Sequence, residues 1–304
     1  MNLALETRHW VLLVFVVSAL YAHFRGRVRF GMVRALLDFQ VLLAPVNALM
    51  YLFSRTPRGA YIDPREFPEM KVLSDNWQLI REEAMRLNEG GAIRAAEGHT
   101  DLGFNSFFRT GWKRFYLSWY GQDLPSAQQQ CPQTVKLLKS IPSVKAAMFA
   151  SLPPGATLVR HRDPYAGSLR YHLGLSTPND AGCYIEVDGQ RYHWRDGEAV
   201  MFDETYIHHA ANTTQQQRVI LFCDVERPLW FAPARWFNRL FARHVMAAAA
   251  TQNVPGEHVG ALNRFFQGFY AVRKKAKDLK ARSRTTYYVG KWALILGALW
   301  ALFW

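Results

Sequence analysis

One stretch of the chain, residues 146–222, constrains the fold more than any other. Short apolar runs rich in β-branched and aromatic residues recur there. They are separated by turn signals at residues 153–155, 178–180, 188–189 and 196–197. Runs of this length bounded by Pro, Gly, Asn and Asp predict β-strands, and the dipeptide Asp188-Gly189 predicts a hairpin. The stretch therefore predicts a β domain made of several short strands.

The rest of the chain is expected to support and flank this domain. Apolar spacing predicts helices from Asn76 to Leu87 and from Ser126 to Ser140. The length of 304 residues allows one sizeable domain plus flanking segments. The three cysteines form no C-x-x-C pair, so the sequence predicts neither a disulfide framework nor a thiolate metal site. A reducing cytoplasm fits this pattern.

Three residues of the strand-like stretch could bind one metal ion. His161 and Asp163 are two positions apart at a strand end, so their side chains point the same way. His208 follows the apolar run 198–202 and the polar cluster 203–205, where a strand meets a loop. Two imidazoles and one carboxylate bind one face of a ferrous ion and leave the opposite positions open. The alternative is a chance H-x-D pattern beside a hydrogen-bonded core histidine.

Arg218 adds a second chemical requirement to this stretch. It opens the apolar run 219–222, so a permanent cation is expected to project from a buried strand. A buried arginine needs an anion. The distal carboxylate of 2-oxoglutarate can accept a bidentate pair from a guanidinium while its keto acid end chelates iron. An ordinary ion pair is the alternative for Arg218.

Several motifs together resemble the aspartyl/asparaginyl β-hydroxylase family of 2-oxoglutarate oxygenases. Four of them surround the candidate site, at residues 161–164, 168–175, 202–208 and 218–224. Three more precede it, at residues 104–108, 111–116 and 141–149. The resemblance implies a mainly β fold with supporting helices, in which a double-stranded β-helix, or cupin-like jelly roll, forms the catalytic domain.

The resemblance also implies roles for individual residues. His161 and His208 match the iron ligands, and Arg218 matches the residue that binds the distal carboxylate. Arg170 and His172 match the pair directed at the chelating end of 2-oxoglutarate, although a polar stripe on a sheet is the alternative. Animal peptide hydroxylases of the family have Gly at the position of Asp163, whereas this chain keeps the carboxylate. Ser151 is a weaker candidate for helping to hold the distal carboxylate.

The ends of the chain predict membrane anchors. We predict a transmembrane anchor at 1–24, a basic and amphipathic interfacial segment at 25–58, and a basic helical juxtamembrane region at 241–286. A transmembrane helix is predicted at 287–304. The dioxygenase domain between them is expected at 59–240, with its jelly-roll core at about 146–226. Basic flanks predict that this domain lies on the cytoplasmic side of the membrane, and the resemblance implies that this membrane is the bacterial inner membrane.

The chain has 37 basic and 24 acidic residues, and the excess lies near the predicted membrane junctions. No zinc-finger, homeodomain or RNA-recognition signature is present, so membrane lipids are preferred to nucleic acid as the partner. The sequence does not specify an oligomeric state.

Within the family, the motifs resemble those of members that hydroxylate bacterial lipid A. The similarity implies an Fe(II)-, 2-oxoglutarate- and O2-dependent enzyme acting on carbon 2 of an acyl chain of a lipid A or lipopolysaccharide precursor. Candidate substrate contacts lie in an aromatic segment and comprise Arg109, Trp112, Lys113 and Arg114. A packed aromatic core is the alternative for this segment. Peptidyl aspartyl/asparaginyl hydroxylation and a non-enzymatic jelly-roll membrane binding protein are the alternative functions.

Overall fold

The computed structural model describes residues 7–36, 38–96, 101 and 103–303. Its strands are β1 (Tyr61–Ile62), β2 (Lys113–Trp119), β3 (Gln122–Asp123), β4 (Val144–Leu152), β5 (Thr157–His161), β6 (Ser168–Ser176), β7 (Cys183–Val187), β8 (Gln190–His193), β9 (Ala199–Phe202), β10 (His208–Asn212) and β11 (Arg218–Glu226). All the strand pairs are antiparallel.

The strands form two sheets that enclose a cavity. The larger sheet has the order β1-β9-β6-β11-β4-β2-β3, and the smaller has the order β5-β10-β7-β8. Every residue of β6 and β11 except the last of each is buried, because both strands are central in the larger sheet. Residues from both sheets line the same cavity. This arrangement confirms the predicted jelly roll, with the predicted core at 146–226 spanning β4 to β11.

The hairpin predicted at Asp188-Gly189 is confirmed. It joins β7 to β8, and Val187 pairs with Gln190 across the turn. The two central residues have φ angles of 50° and 82°. A two-residue turn of this type requires left-handed backbone at both positions, which Asp and Gly adopt more easily than other residues.

Helices cover the sheets and form both ends of the described chain. Their bounds are α1 (Thr7–Phe24), α2 (Met32–Leu36), α3 (Phe39–Leu42), α4 (Ala44–Leu52), α5 (Lys71–Asp75), α6 (Trp77–Glu89), α7 (Pro125–Gln130), α8 (Pro132–Lys139), α9 (Ala232–Phe241), α10 (Ala261–Arg282) and α11 (Arg284–Phe303). Short 3-10 helices occur at Pro64–Glu66, Pro68–Met70, Phe107–Thr110 and Ala247–Ala249, and a π-helical segment at Ala242–Met246.

Two of the helices can be compared with the sequence-based predictions. The helix predicted from Asn76 to Leu87 is confirmed as α6, which buries Ile80, Ala84 and Leu87 on one face. The helix predicted from Ser126 to Ser140 is instead divided into α7 and α8. Cys131 is non-helical at the break, with φ −133° and ψ 51°, because Pro132 follows it and a residue before proline avoids helical backbone.

In the part of the chain that the structure describes, no helix combines the length and the apolar character needed to cross a membrane. The transmembrane helices predicted at 1–24 and 287–304 therefore find no support, and residues 1–6 and 304 lie outside the described residues. Histidines interrupt the apolar character of α1 near both ends, and Lys291 interrupts that of α11.

The chain after α1 is tied to the jelly roll by a buried ion-pair network. Arg25 lies between the rings of Tyr51 and Tyr206, with its guanidinium carbon 4.0 and 3.9 Å from the two ring centroids. It also donates to the Asp203 carboxylate at 2.7 Å. Arg227 contacts the same carboxylate at 3.0 Å. Burial opposes ionisation of Asp203, but the two arginines hold its pKa well below the usual range.

This network predicts a pH-dependent effect of the substitution Asp203→Asn. At pH 7, we expect the free energy of unfolding to fall by about 3–5 kcal/mol, because two buried guanidinium groups lose their carboxylate. A carboxyl group with a depressed folded-state pKa stabilises the protein above the ordinary aspartate pKa of about 4, and this contribution declines as the pH falls further. The difference between wild type and variant should therefore shrink below about pH 4.

Urea unfolding at pH 7, 5 and 2.5 measures this difference. Asp123→Asn is the control, because Asp123 pairs with Lys139 at the surface and both side chains are about half exposed. This control should change the free energy of unfolding by less than about 1 kcal/mol. An Asp203→Asn deficit that stays constant across this pH range would contradict the assigned ionisation of Asp203.

Candidate active site

Two histidines face each other across a pair of strands in the smaller sheet. His161 at the end of β5 is the cross-strand partner of His208 at the start of β10. Their ring centroids are 4.2 Å apart. The ring of Phe107 packs against His161 with a centroid distance of 4.6 Å. The strand pairing therefore brings together two imidazoles that are far apart in the sequence.

The backbone fixes the protonated nitrogen of each histidine. His161 Nδ1 lies 2.7 Å from the carbonyl oxygen of Val159, and His208 Nδ1 lies 2.9 Å from that of Tyr206. A carbonyl can only accept, so each Nδ1 carries the hydrogen and each neutral ring keeps a lone pair on Nε2. Burial lowers the pKa of His161, and burial together with His161 lowers the pKa of His208 to about 3. Both rings are therefore neutral, which is the form that binds a metal ion.

Asp163 completes a cluster that can hold a metal ion. Its Oδ1 is 3.6 Å from His161 Nε2. One ligand atom from each of Asp163, His161 and His208 lies within 4.8 Å of the others. Burial opposes ionisation of Asp163, but the adjacent Arg170 guanidinium lowers its pKa to about 2. Two neutral imidazoles and one ionised carboxylate fit a divalent transition metal.

Arg170 is surrounded by carboxylates of the protein. Its guanidinium donates to Asp163 at 2.7 Å and to Asp224 at 2.9 Å, and it also pairs with Glu204. The face of the guanidinium lies 3.7 Å from the ring centroid of Phe222. Arg170 therefore contacts a candidate metal ligand, and its hydrogen bond orients the Asp163 carboxylate.

Arg218 and His172 present buried polar atoms that lack protein partners. Arg218 is 2% exposed and lies over the ring of Trp194, 4.3 Å from its centroid. Neither Arg218 Nε nor either ring nitrogen of His172 has a hydrogen-bond partner within the described ranges. Burial lowers the pKa of Arg218 to about 10. A buried cation without an anion is costly, so this part of the cavity fits an anionic ligand.

Aromatic and aliphatic side chains form the rest of the cavity wall. This apolar group comprises Phe104, Phe107, Trp112, Ala150, Leu158, Ile185, Trp194, Phe202, Ala210, Ile220 and Phe222. The cavity is therefore apolar except for the candidate metal ligands, Arg170, His172 and Arg218. A binding site of this kind suits a ligand that is mostly hydrocarbon.

The structure separates the four candidate substrate residues. Trp112 lines the cavity, whereas Arg109 and Lys113 are exposed. Arg114 is buried and donates to Asp101 at 3.0 Å. Arg114 therefore lies in an interior ion pair, which matches the packed-core alternative for this residue.

Ser151 lies apart from the residues that line the cavity. Its neighbour Ala150 faces the cavity, and successive strand residues point to opposite faces. The Ser151 hydroxyl contacts the side-chain amide of Gln217. His209 likewise points away from His208 and lies 3.8 Å from Glu186.

Sequence reasoning did not identify several residues around the site. Glu204 and Asp224 contact Arg170, and Trp194 stacks under Arg218. Asp224 ends a long apolar run and Glu204 lies in a polar cluster just before His208. The position of such polar residues beside the candidate ligands was the signal that the sequence offered. The sequence did not show which residues they contact, because those contacts depend on the order of the strands in the sheet.

A jelly roll that brings two histidines and one carboxylate together in an apolar cavity defines the class of two-histidine, one-carboxylate hydroxylases. The aspartyl/asparaginyl β-hydroxylase family matches residues 74–228. This match covers just over half of the chain and includes all three candidate ligands and Arg218. The chain therefore belongs to the aspartyl/asparaginyl β-hydroxylase family, as the sequence motifs predicted.

One bacterial relative is similar in sequence to this chain over about two thirds of its length. It is the ornithine lipid ester-linked acyl 2-hydroxylase of Rhizobium tropici, which is 33% identical over 207 residues. The alignment covers 66% of this chain and 72% of that protein. The relative's name specifies an ornithine lipid rather than the lipid A inferred from the sequence.

Human relatives match over shorter regions. Aspartate β-hydroxylase domain-containing protein 2 is 32% identical over 126 residues, which cover 38% of this chain and 34% of that protein. Aspartyl/asparaginyl β-hydroxylase is 27% identical over 167 residues, which cover 52% of this chain and 21% of that protein. The chain thus spans about a third and a fifth of their respective lengths.

Among solved structures, a prolyl-4-hydroxylase of Pseudomonas putida is similar to this chain with a TM-score of 0.34 and 20% sequence identity. The alignment covers 51% of this chain and 87% of that one.

Proposed function

We propose that this protein is an Fe(II)- and 2-oxoglutarate-dependent dioxygenase that hydroxylates carbon 2 of a fatty acyl chain in a bacterial membrane lipid. One observation carries the proposal: a two-histidine, one-carboxylate cluster and a buried arginine that pairs with no carboxylate among the described residues line the same cavity. The cluster can hold iron. The arginine requires an anion that the described residues do not supply.

Different side chains of the cavity would bind the metal ion and the co-substrate. His161, Asp163 and His208 would hold the ferrous ion on one face, with Nε2 of each ring as the donor atom. Arg218 would bind the distal carboxylate of 2-oxoglutarate through a bidentate pair. His172, whose two ring nitrogens have no hydrogen-bond partner among the described residues, would hydrogen-bond to the co-substrate.

When bound, iron with 2-oxoglutarate and dioxygen supplies the oxidation. One oxygen atom enters the C–H bond of the acyl chain, and the other enters the succinate formed as carbon dioxide leaves. The protein contributes position and exclusion of water. The ring of Phe107 against His161 and the aromatic wall would hold the acyl chain beside the metal and keep the site dry.

A lipid substrate is supported by the cavity and by the surface. The bacterial relative is named for acyl 2-hydroxylation, and the apolar cavity wall suits an acyl chain. Helix α1 exposes Trp10, Leu12, Val14 and Val17, each more than half exposed. Exposed apolar residues on one helix mark an interaction surface, and membrane lipids, whose acyl chains these side chains would contact, are the partner proposed for it.

Lipid A is the specific lipid that we propose, at the cytoplasmic face of the inner membrane. Lipid A carries phosphate groups, and the exposed cations Arg109 and Lys113 flank the buried Trp112 of the cavity wall. Guanidinium and ammonium groups in these positions could bind headgroup phosphates while the acyl chain enters the cavity. An ornithine lipid is the alternative that the bacterial relative suggests.

Lipid analysis tests the proposed function. Wild type and His208→Ala would be expressed in a Gram-negative host that lacks 2-hydroxylated lipids, and lipid A and ornithine lipids would be analysed by mass spectrometry with fragmentation. We expect wild type alone to add one oxygen atom at carbon 2 of a lipid A acyl chain. The same gain on ornithine lipid alone would reassign the lipid.

A peptide substrate is the second candidate, since the human relative is named an aspartyl/asparaginyl β-hydroxylase. Purified protein with iron and 2-oxoglutarate that hydroxylates aspartyl peptides and no lipid would replace the lipid proposal. Absence of metal binding by the purified protein would instead favour a non-enzymatic jelly-roll binding protein.

A further inference from the structure

Two loops carry the backbone next to the candidate metal ligands. The first ligand loop, residues 162–167, follows His161 and contains Asp163, and the second ligand loop, residues 203–207, leads into His208. A single backbone hydrogen bond of 3.0 Å joins Asp163 N–H to the Glu204 carbonyl. Neither loop belongs to a strand, so sheet hydrogen bonds alone do not determine their positions.

Gln40 connects both loops through one side-chain amide. Its Nε2 lies 3.0 Å from the carbonyl oxygen of Thr205 and 3.4 Å from that of Asp163. Gln40 is 1% exposed, so water does not compete for these bonds. One amide nitrogen has two hydrogens, and here each carbonyl can receive one of them. The Gln40 side chain thus fixes the separation of the two ligand loops.

Asn47 binds the part of the first ligand loop that follows Asp163. Its side-chain nitrogen donates to the Pro164 carbonyl at 2.8 Å, and its side-chain oxygen accepts from Ala166 N–H at 2.8 Å. Asn47 is fully buried in α4. The donor and the acceptor of its amide are therefore both used on backbone groups within three residues of Asp163.

Charged contacts reinforce this arrangement on both sides. Arg162, between two candidate ligands, donates to Asp38 at 3.3 Å and to the Ala22 carbonyl at 3.2 Å. Arg25 donates to Thr205 Oγ1 at 2.5 Å, in the second ligand loop. The contacts come from α1, α4 and the chain between them, and that whole segment precedes the residues matched to the family.

We propose that this N-terminal segment positions the metal ligands, and that Gln40 and Asn47 are its principal positioning residues. The inference rests on the metal site of the proposed function. Outer partners that orient ligands typically change metal affinity 10- to 100-fold when they are removed. Gln40 and Asn47 act on the backbone of the ligand loops, so their loss would let Asp163 and His208 separate.

Cobalt(II) binding by the full chain tests this proposal without requiring turnover. Gln40→Met keeps the length of the side chain and removes both donors. Asn47→Leu keeps the approximate size of the side chain and removes both hydrogen bonds to the first ligand loop. We expect Gln40→Met to weaken Co(II) binding by about 10- to 100-fold and to alter the Co(II) absorption spectrum. Asn47→Leu should weaken binding by a smaller factor, because Asn47 bonds to the first ligand loop alone.

Asn253→Leu is the matched control. Asn253 is also buried, and its side-chain amide bonds to the backbone of Tyr116 and to Ser126, away from the ligand loops. It should lower the melting temperature of the apoprotein but leave the Co(II) affinity and spectrum unchanged. Equal Co(II) affinity and an identical spectrum in wild type and Gln40→Met would overturn the positioning role.

The failure of the proposed function gives a different result. In that case wild-type protein would bind no Co(II), or His208→Ala would bind Co(II) as tightly as wild type. If Gln40→Met and Asn253→Leu lower the Co(II) affinity equally, the effect of Gln40 would be general destabilisation, and the positioning proposal would be wrong.

Discussion

His208→Ala is expected to abolish hydroxylation and to weaken metal binding by more than about 100-fold. That factor is the upper range for residues that only orient a ligand, and His208 would supply a donor atom itself. The remaining His161 and Asp163 would hold a divalent ion through two atoms instead of three. Metal titration of the purified protein and turnover of 2-oxoglutarate measure the two effects.

The neighbouring histidine offers a closely matched control. His209 lies in the same strand, points to the opposite face and is near Glu186 rather than the cavity. His209→Ala removes the same chemical group one residue away and should leave metal affinity within about twofold of wild type, because surface changes rarely exceed 0.5 kcal/mol. A loss of metal binding in His209→Ala but not in His208→Ala would exchange their assigned roles.

Arg218→Met is expected to weaken 2-oxoglutarate binding by about 30-fold or more. Truncating one partner of a buried charge pair costs about 2 kcal/mol or more, which corresponds to this factor. Metal affinity should change little. Among the described residues, Arg218 forms no hydrogen bond or ion pair with a candidate metal ligand. Calorimetric titration with 2-oxoglutarate, in the presence of a redox-inactive metal, measures the loss.

The same substitution has a second expected effect, opposite in direction, on the apoprotein. Burial lowers the pKa of Arg218 because the cation is removed from water. No carboxylate among the described residues pairs with it to offset this cost. Replacing it with an apolar side chain should therefore raise the melting temperature of the apoprotein. Arg191→Met is the control, since Arg191 is exposed and pairs with Glu186 at the surface. An apoprotein destabilised by Arg218→Met would contradict the unpaired state of Arg218.

Local sequence patterns were sufficient for the β core. The hairpin at Asp188-Gly189 follows from backbone preferences of two residues, and α6 follows from apolar spacing. His161, Asp163 and His208 were predicted from residue type, because two histidines and one carboxylate are a common ligand set for ferrous iron. The structure brings these three residues together. These signals are local or depend on residue type alone.

Features that depend on tertiary contacts could not be predicted in the same way. Nothing near Gln40 or Asn47 in the sequence indicates that their amides bond to loops more than one hundred residues away. Sheet order makes Asp224 the cross-strand partner of Arg170. The Arg170 guanidinium therefore donates to Asp224 as well as to Asp163. Apolar composition suggested membrane spans at both ends, whereas no described helix meets the requirements of one.

The pairing of His161 with His208 has a consequence for how the protein is made. The two strands that carry them are joined by a chain segment containing β6, β7, β8 and β9. A growing polypeptide that ends before β10 contains only two of the three donor residues. Contacts between residues so distant in the chain form late because the intervening loop must first be closed. A metal ion held by all three residues would therefore bind only after synthesis and folding of the jelly roll.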